Sequence, residues 1–216
     1  MPAAKKVRVA VLISGRGSNM VALAQAAQAA DYPAEIVLVL ANDPQAEGLA
    51  RAAALGLPTR SIDHRGFADR ASFDAEIDAA LREAGAELVC LAGFMRILTP
   101  AFVEAWAGRM LNIHPSLLPL FKGTHTHAQA LEAGVRLHGC TVHFVVPELD
   151  AGPIVAQAAV PVHQDDDPDS LAARVIVQER ELYPEALALV AGGEARLANG
   201  RVVIDTAPPD GVLFSL

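Results

Sequence analysis

Asn112 and His114 stand two residues apart in the run Met110-Leu111-Asn112-Ile113-His114, directly before Pro115. The run is apolar and short enough for a strand, and side chains at i and i+2 share one strand face. An amide and an imidazole therefore project together from a strand that Pro115 ends. Farther along, Glu148-Leu149-Asp150-Ala151-Gly152-Pro153 places an acid among turn formers. An amide donates a fixed neutral hydrogen bond. An imidazole donates and also carries a proton, and a nearby carboxylate favours its charged form and holds the ring. These are the parts needed to manage an oxyanion and move a proton. Each residue alone also fits a strand-end cap or a turn aspartate. The group is more informative, because His125, His127 and His143 fall in the same region.

A second constellation, Ser14-Gly15-Arg16-Gly17-Ser18-Asn19, separates an apolar run from an alanine-rich one. Glycines let the backbone approach an anion, and a helix start presents unpaired N–H groups. The dinucleotide fingerprint would need Gly or Ala where Met20 stands, and the nucleotide-binding lysine pattern is missing. A phosphorylated metabolite fits better than NAD or ATP. Gly93-Phe94-Met95-Arg96-Ile97-Leu98 follows a third apolar run, and one Arg in an apolar loop suits a flat ligand carrying carboxylates. By themselves Glu179 and Arg70 read as surface charges.

The elements that must hold these residues alternate. Strands are expected over Val7–Ile13, Glu35–Leu40, Thr59–Ile62 and Leu88–Ala92, and then around Asn112. Helices are expected over Met20–Ala30 with Ser18 or Asn19 as N-cap, over Pro44–Leu55, and over Ser72–Ala84. A further one opens at Thr99-Pro100 and is closed by Gly108, and another covers His127–Ala133. From Gly139 the pattern shifts towards period two, through Thr141–Val145, with a matching strand over Ile154–Val162. A long helix over Ser170–Val190, bent at Pro184, and an Asn199-Gly200 hairpin complete the chain. This alternation implies an α/β fold with a doubly wound, mainly parallel open sheet and C-terminal antiparallel strands. Such sheets bind ligands beyond the carboxyl ends of their strands.

Composition narrows the class. The 216 residues are 52% hydrophobic with a formal net charge of -8 and no basic block, which argues against disorder and against nucleic-acid binding as the main function. Cys90 and Cys140 read as buried free thiols of a reducing compartment. No Cys/His spacing resembles a zinc site, and His125-Thr126-His127 is too weak a pattern to assign a metal. No apolar run reaches membrane length, so a soluble cytoplasmic protein is expected.

Together these segments resemble the phosphoribosylglycinamide formyltransferases, the folate-dependent enzymes of purine synthesis. Ile13–Asn19, Leu91–Pro100, Leu111–Pro119, Gly123–His127 and Glu148–Pro153 carry the resemblance, in order and over nearly the full chain. It implies a Rossmann-like formyltransferase fold in one domain, 1–216, with a phosphate-binding half (1–100) and a folate and catalytic half (101–216). It implies Asn112, His114 and Asp150 as the catalytic set, and Gly17, Ser18, Asn19 and Glu179 at the acceptor substrate. Arg70, Met95, Arg96, Ile97, Leu98 and Asn112 would meet the folate. The donor would be 10-formyltetrahydrofolate, the acceptor 5'-phosphoribosylglycinamide, with no metal, no nucleic-acid or membrane partner, and a monomer or homodimer. Leu120, Lys122, Thr124 and Arg180 depart from the family pattern and bear on loop conformation and affinity. The competing readings are a 10-formyltetrahydrofolate hydrolase and a non-catalytic folate- or nucleotide-binding module.

Overall fold

The structure, a computed structural model, describes residues 5–205, so both ends of the expected 1–216 domain lie outside the described residues. Seven strands form one sheet in the order β3-β2-β1-β4-β5-β6-β7. They are β1 (Val7–Ile13), β2 (Ala34–Ala41), β3 (Thr59–Ser61), β4 (Leu88–Leu91), β5 (Met110–His114), β6 (Leu137–Phe144) and β7 (Ile154–Pro161). The first five run parallel, whereas β5–β6 and β6–β7 pair antiparallel. A separate hairpin joins β8 (Ala195–Ala198) to β9 (Arg201–Ile204) through Asn199 and Gly200, both at positive φ as a tight turn of this kind requires.

Alternation along β1 explains the double winding. Val9, Val11 and Ile13 pack with Met20, Leu23, Leu171 and Val175 on one face. Ala10 and Leu12 pack with Phe73, Ile77, Leu81, Phe102 and Trp106 on the other. Both faces of this central strand are therefore covered, so its buried part, Val9–Ile13, is continuously apolar. The helices responsible are α1 (Ser18–Ala26), α2 (Glu47–Ala54), α3 (Arg70–Glu83), α4 (Pro100–Ala105), α5 (Thr126–Glu132) and α6 (Pro168–Ala191).

Several boundaries differ from expectation. The N-cap of α1 is Gly17, at φ 69, and no side chain caps it, so neither Ser18 nor Asn19 has that role. Asn19 instead turns into the interior. Helix α2 starts at Glu47, later than Pro44, and α3 starts at Arg70 because Asp69 accepts the Ser72 N–H. Helix α4 opens on Thr99 and Pro100 as expected but ends at Ala105, before Gly108. Helix α6 continues through Pro184. Both cysteines are buried and free. Among the described residues no helix is long and apolar enough to cross a membrane.

Candidate active site

Strand β5 ends at His114, so Asn112 and His114 reach the carboxyl edge of the sheet on one face. Residues two apart along a strand lie about 6.6–6.8 Å apart, a span that leaves room for a small reacting group between their side chains. The chain then folds back. Phe121 returns its carbonyl to His114 Nε2 at 3.0 Å, and a carbonyl only accepts, so Nε2 carries a proton. Asp150 Oδ2 stands 3.5 Å from His114 Nδ1, with both side chains almost fully buried. Both ring nitrogens thus face oxygen acceptors, an arrangement that a doubly protonated ring satisfies. The same Asp150 oxygen accepts the Gly123 N–H at 2.8 Å, which ties the two loops together.

His143 completes the set. Antiparallel register places it opposite Asn112. Its Nδ1 donates to the Phe144 carbonyl at 2.9 Å, so its Nε2 is the bare acceptor facing Asn112 Nδ2 at 3.1 Å. Burial lowers the His143 pKa, against the raising effects of that backbone bond and of Asp150. A neutral ring therefore takes one amide hydrogen of Asn112 and leaves the second free to point at a ligand.

The loop after β5 is held from beneath. Thr141 Oγ1 donates to the Ser116 carbonyl at 2.7 Å and accepts the Leu118 N–H at 3.0 Å. His125 is the exposed N-cap of α5, in a left-handed conformation. His127 lies edge-on to the fully buried His138, with centroids 5.2 Å apart, and among the described residues Asp150 pairs with His114 and His143 and not with these two. Among the described residues no group of three or more His, Cys, Asp or Glu is arranged to hold a metal ion.

The loop after β1, expected to cradle an anion, packs its backbone tightly against the start of α2. Gly17 and Gly48 approach so closely that a Cβ on Gly17 would lie 2.9 Å from the Gly48 Cα. Gly48 N–H also donates to the Gly15 carbonyl at 3.0 Å. Ser18 opens α1 half-buried, beside the unpaired N–H groups of the helix start. Asn19 Nδ2 donates to Glu179 at 2.6 Å, while Asn19 Oδ1 is buried with no partner. Burial pushes the Glu179 carboxyl above its ordinary range, offset in part by the Asn19 bond and the charge of Arg180. Glu179 is thus a buried group at the cradle and not a solvated helix charge.

The loop after β4 faces the same edge, because β1 and β4 are neighbours and Ser14 N–H donates to the Gly93 carbonyl at 3.2 Å. Met95 and Ile97 present 70% and 64% of their surfaces to solvent, so this loop displays apolar side chains without a protein partner. Arg96 lies among them with a buried Nε lacking a partner, and Leu98 packs half-buried on the core. Arg70 opens α3 on the same side of the sheet, after the β3 carboxyl end. It is exposed and unconnected to the trio by any hydrogen bond among the described residues.

Two contributors were not assigned from sequence. His143 was counted only as a neighbour, and its position opposite Asn112 depends on antiparallel register. Gly48 carried a signal, since a glycine inside an alanine-rich helix disfavours that helix and needs a packing reason.

An amide and an imidazole beside a carboxylate, at the carboxyl edge of a doubly wound sheet, supply the parts of a group-transfer site. Residues 7–187 match the family described as formyl transferase, and the chain belongs to that family. It is 42% identical over 207 residues to the phosphoribosylglycinamide formyltransferase of Escherichia coli K12, covering 95% of this chain and 98% of that one. It is 52% identical over 199 residues to the bovine trifunctional purine biosynthetic protein adenosine-3, covering 92% of this chain but 20% of that protein. The chain therefore spans about a fifth of such trifunctional relatives. A crystal structure of glycinamide ribonucleotide transformylase 1 from Symbiobacterium toebii superposes with a TM-score of 0.89, at 41% identity over 92% of this chain and 94% of the other.

Proposed function

We propose that the chain transfers the formyl group of 10-formyltetrahydrofolate to the amine of 5'-phosphoribosylglycinamide, giving the N-formyl product and tetrahydrofolate in purine synthesis. The observation that carries this reading is the convergence of Asn112, His114 and Asp150 at the sheet edge that also bears the Gly17 cradle. The amine attacks the formyl carbon, and the carbonyl oxygen becomes an oxyanion. The free Asn112 hydrogen and a protonated His114 stabilise that oxygen. The amine gives up a proton to solvent, the folate nitrogen takes one as the C–N bond breaks, and His114 is placed to supply it and to be reprotonated from solvent. Asp150 holds the ring. Alignment of two bound substrates supplies much of the remaining rate.

Gly17 and Ser18 receive the phosphate in this reading, and Asn19 with Glu179 receives the polar groups near the amine, which suits the unpartnered Asn19 Oδ1. Met95, Ile97 and Leu98 flank the pteridine, and Arg96 and Arg70 attract the folate carboxylates. We take residues 1–216 as one domain with the phosphate cradle in 1–100 and the catalytic trio in 101–216. The folate-side loop 93–98 falls in the first half and Glu179 in the second, so each site draws on both. A chain of this kind works on small molecules in the cytoplasm, as a monomer or homodimer.

The test mixes the protein with 10-formyltetrahydrofolate, with and without phosphoribosylglycinamide, and follows tetrahydrofolate release. Release that depends on the acceptor is expected. Equal release without acceptor indicates a hydrolase, and binding without release indicates a non-catalytic module.

A further inference from the structure

Ser14 has no part in the chemistry above, yet it stands where the two substrate loops part. Its Oγ accepts the Met95 N–H at 2.7 Å and donates to Asn42 Oδ1. Its backbone N–H donates to the Gly93 carbonyl. Asn42, only 4% exposed, follows the end of β2 and donates its own N–H to the Ile13 carbonyl at 3.4 Å. The Asn42 carbonyl accepts His64 Nδ1–H at 2.8 Å, and His64 follows the end of β3. One continuous set of bonds therefore joins the segments leaving β1, β2, β3 and β4.

The Ser14 hydroxyl is the side-chain link by which the set crosses from the acceptor side to the folate side, beside the backbone bond to Gly93. A hydroxyl donates once and accepts twice, so it can satisfy an amide N–H and an amide oxygen together. Alanine would remove the protein partner of both, and the Asn42 oxygen is attached to a buried side chain. Met95 and Ile97 are otherwise mostly exposed, so little packing would compensate.

We propose that Ser14 is a positioning residue shared by both substrate sites: its hydroxyl fixes the loop Gly93–Leu98 against the loop Gly15–Asn19. The assignment of the ligands rests on the formyl-transfer reading; the loop coupling does not. A residue serving one site should alter one ligand, whereas a shared fastening should alter both.

The test uses the full chain with Ser14→Ala and Ser14→Thr. Ser14→Ala is expected to raise KM for the folate donor and for the acceptor together, each about 3- to 10-fold, the scale of one or two lost hydrogen bonds. Turnover number should fall less. Ser14→Thr keeps the hydroxyl and should restore both KM values. A change in one KM alone, no change in either, or no rescue by threonine overturns the proposal. Amide exchange of Met95 in the unliganded wild type is the second measurement. Protection that disappears in Ser14→Ala supports the link, and an unprotected Met95 amide in the wild type overturns it even if the variant does not fold. Wild-type formyl transfer, assayed in parallel, bears on the proposed function alone, because the exchange experiment contains no ligand.

Discussion

Asn112 has two amide hydrogens, and His143 takes one. In the proposed reaction the other is the oxyanion donor, so Asn112→Ala should lower turnover by roughly 10²–10³, with substrate binding changed much less. Steady-state kinetics with both substrates varied checks this, and full turnover in a folded variant would falsify the oxyanion role. Because Asn112 and His114 serve one transition state, the double alanine variant should lose less than the product of the single losses. Asp150 faces His114 and also holds the Gly123 N–H. Asp150→Asn keeps its shape and removes the charge that matches a protonated ring. Turnover should fall by about 10²–10⁴, the range for a positioned proton donor. Retained hydrogen-exchange protection at Gly123 would show that the loss is electrostatic; loss of that protection would point to loop disorder instead.

At the scale of elements, the Gly17–Gly48 approach couples the anion loop to helix α2. Two effects of Gly48→Ala oppose each other. Alanine favours a helix by about 1 kcal/mol. Its Cβ, however, would lie 2.4 Å from Ile13 Cδ1, 3.0 Å from the Gly15 carbonyl oxygen and 3.2 Å from the Gly17 Cα. Ile13 Cδ1 is a side-chain end that can swing away, but the other two atoms are backbone. Overpacking costs about 1–3 kcal/mol, so the net expectation is destabilisation, with acceptor KM raised and folate KM nearly unchanged. Denaturant unfolding and kinetics test both halves, and a more stable variant with normal acceptor KM refutes the coupling. This contact also marks the limit of what the sequence made legible. The strands, the shift to antiparallel pairing and the shared face of Asn112 and His114 could be read from periodicity, Pro115 and turn residues, because those signals are local; that Asp150 meets His114 could not. The Gly17 cap, the His143 partnership and the Asn19–Glu179 bond could not, because each depends on which elements become neighbours. Asn19 looked like a cap because its side chain competes for backbone groups in isolation; a buried carboxylate 160 residues away wins that competition.

For the whole molecule, the buried Glu179 sets a pH dependence of stability. Its folded pKa is raised by burial above the unfolded value. Between the two values the folded state keeps a proton that the unfolded chain has released. Stability therefore declines as pH rises through that window, and the ionised group is a net cost above it. Glu179→Gln preserves an acceptor for Asn19 and removes the titration. Relative to wild type, the variant should gain stability as pH rises from the ordinary carboxylate range upward, as measured by urea unfolding across that rise, while its acceptor KM rises. A stability difference independent of pH would show that Glu179 does not titrate abnormally. The same Asn19–Glu179 bond has a consequence in time. Asn19 is made 160 residues before its partner, which lies on a helix that Tyr183 anchors through bonds to the Leu91 and Leu111 carbonyls. Contacts so distant in sequence form late, since loop closure must come before they contribute. A nascent chain can thus pair its parallel strands while the proposed acceptor site still lacks Glu179. Acceptor affinity should therefore arise in one step when α6 docks, making its binding a reporter of that docking.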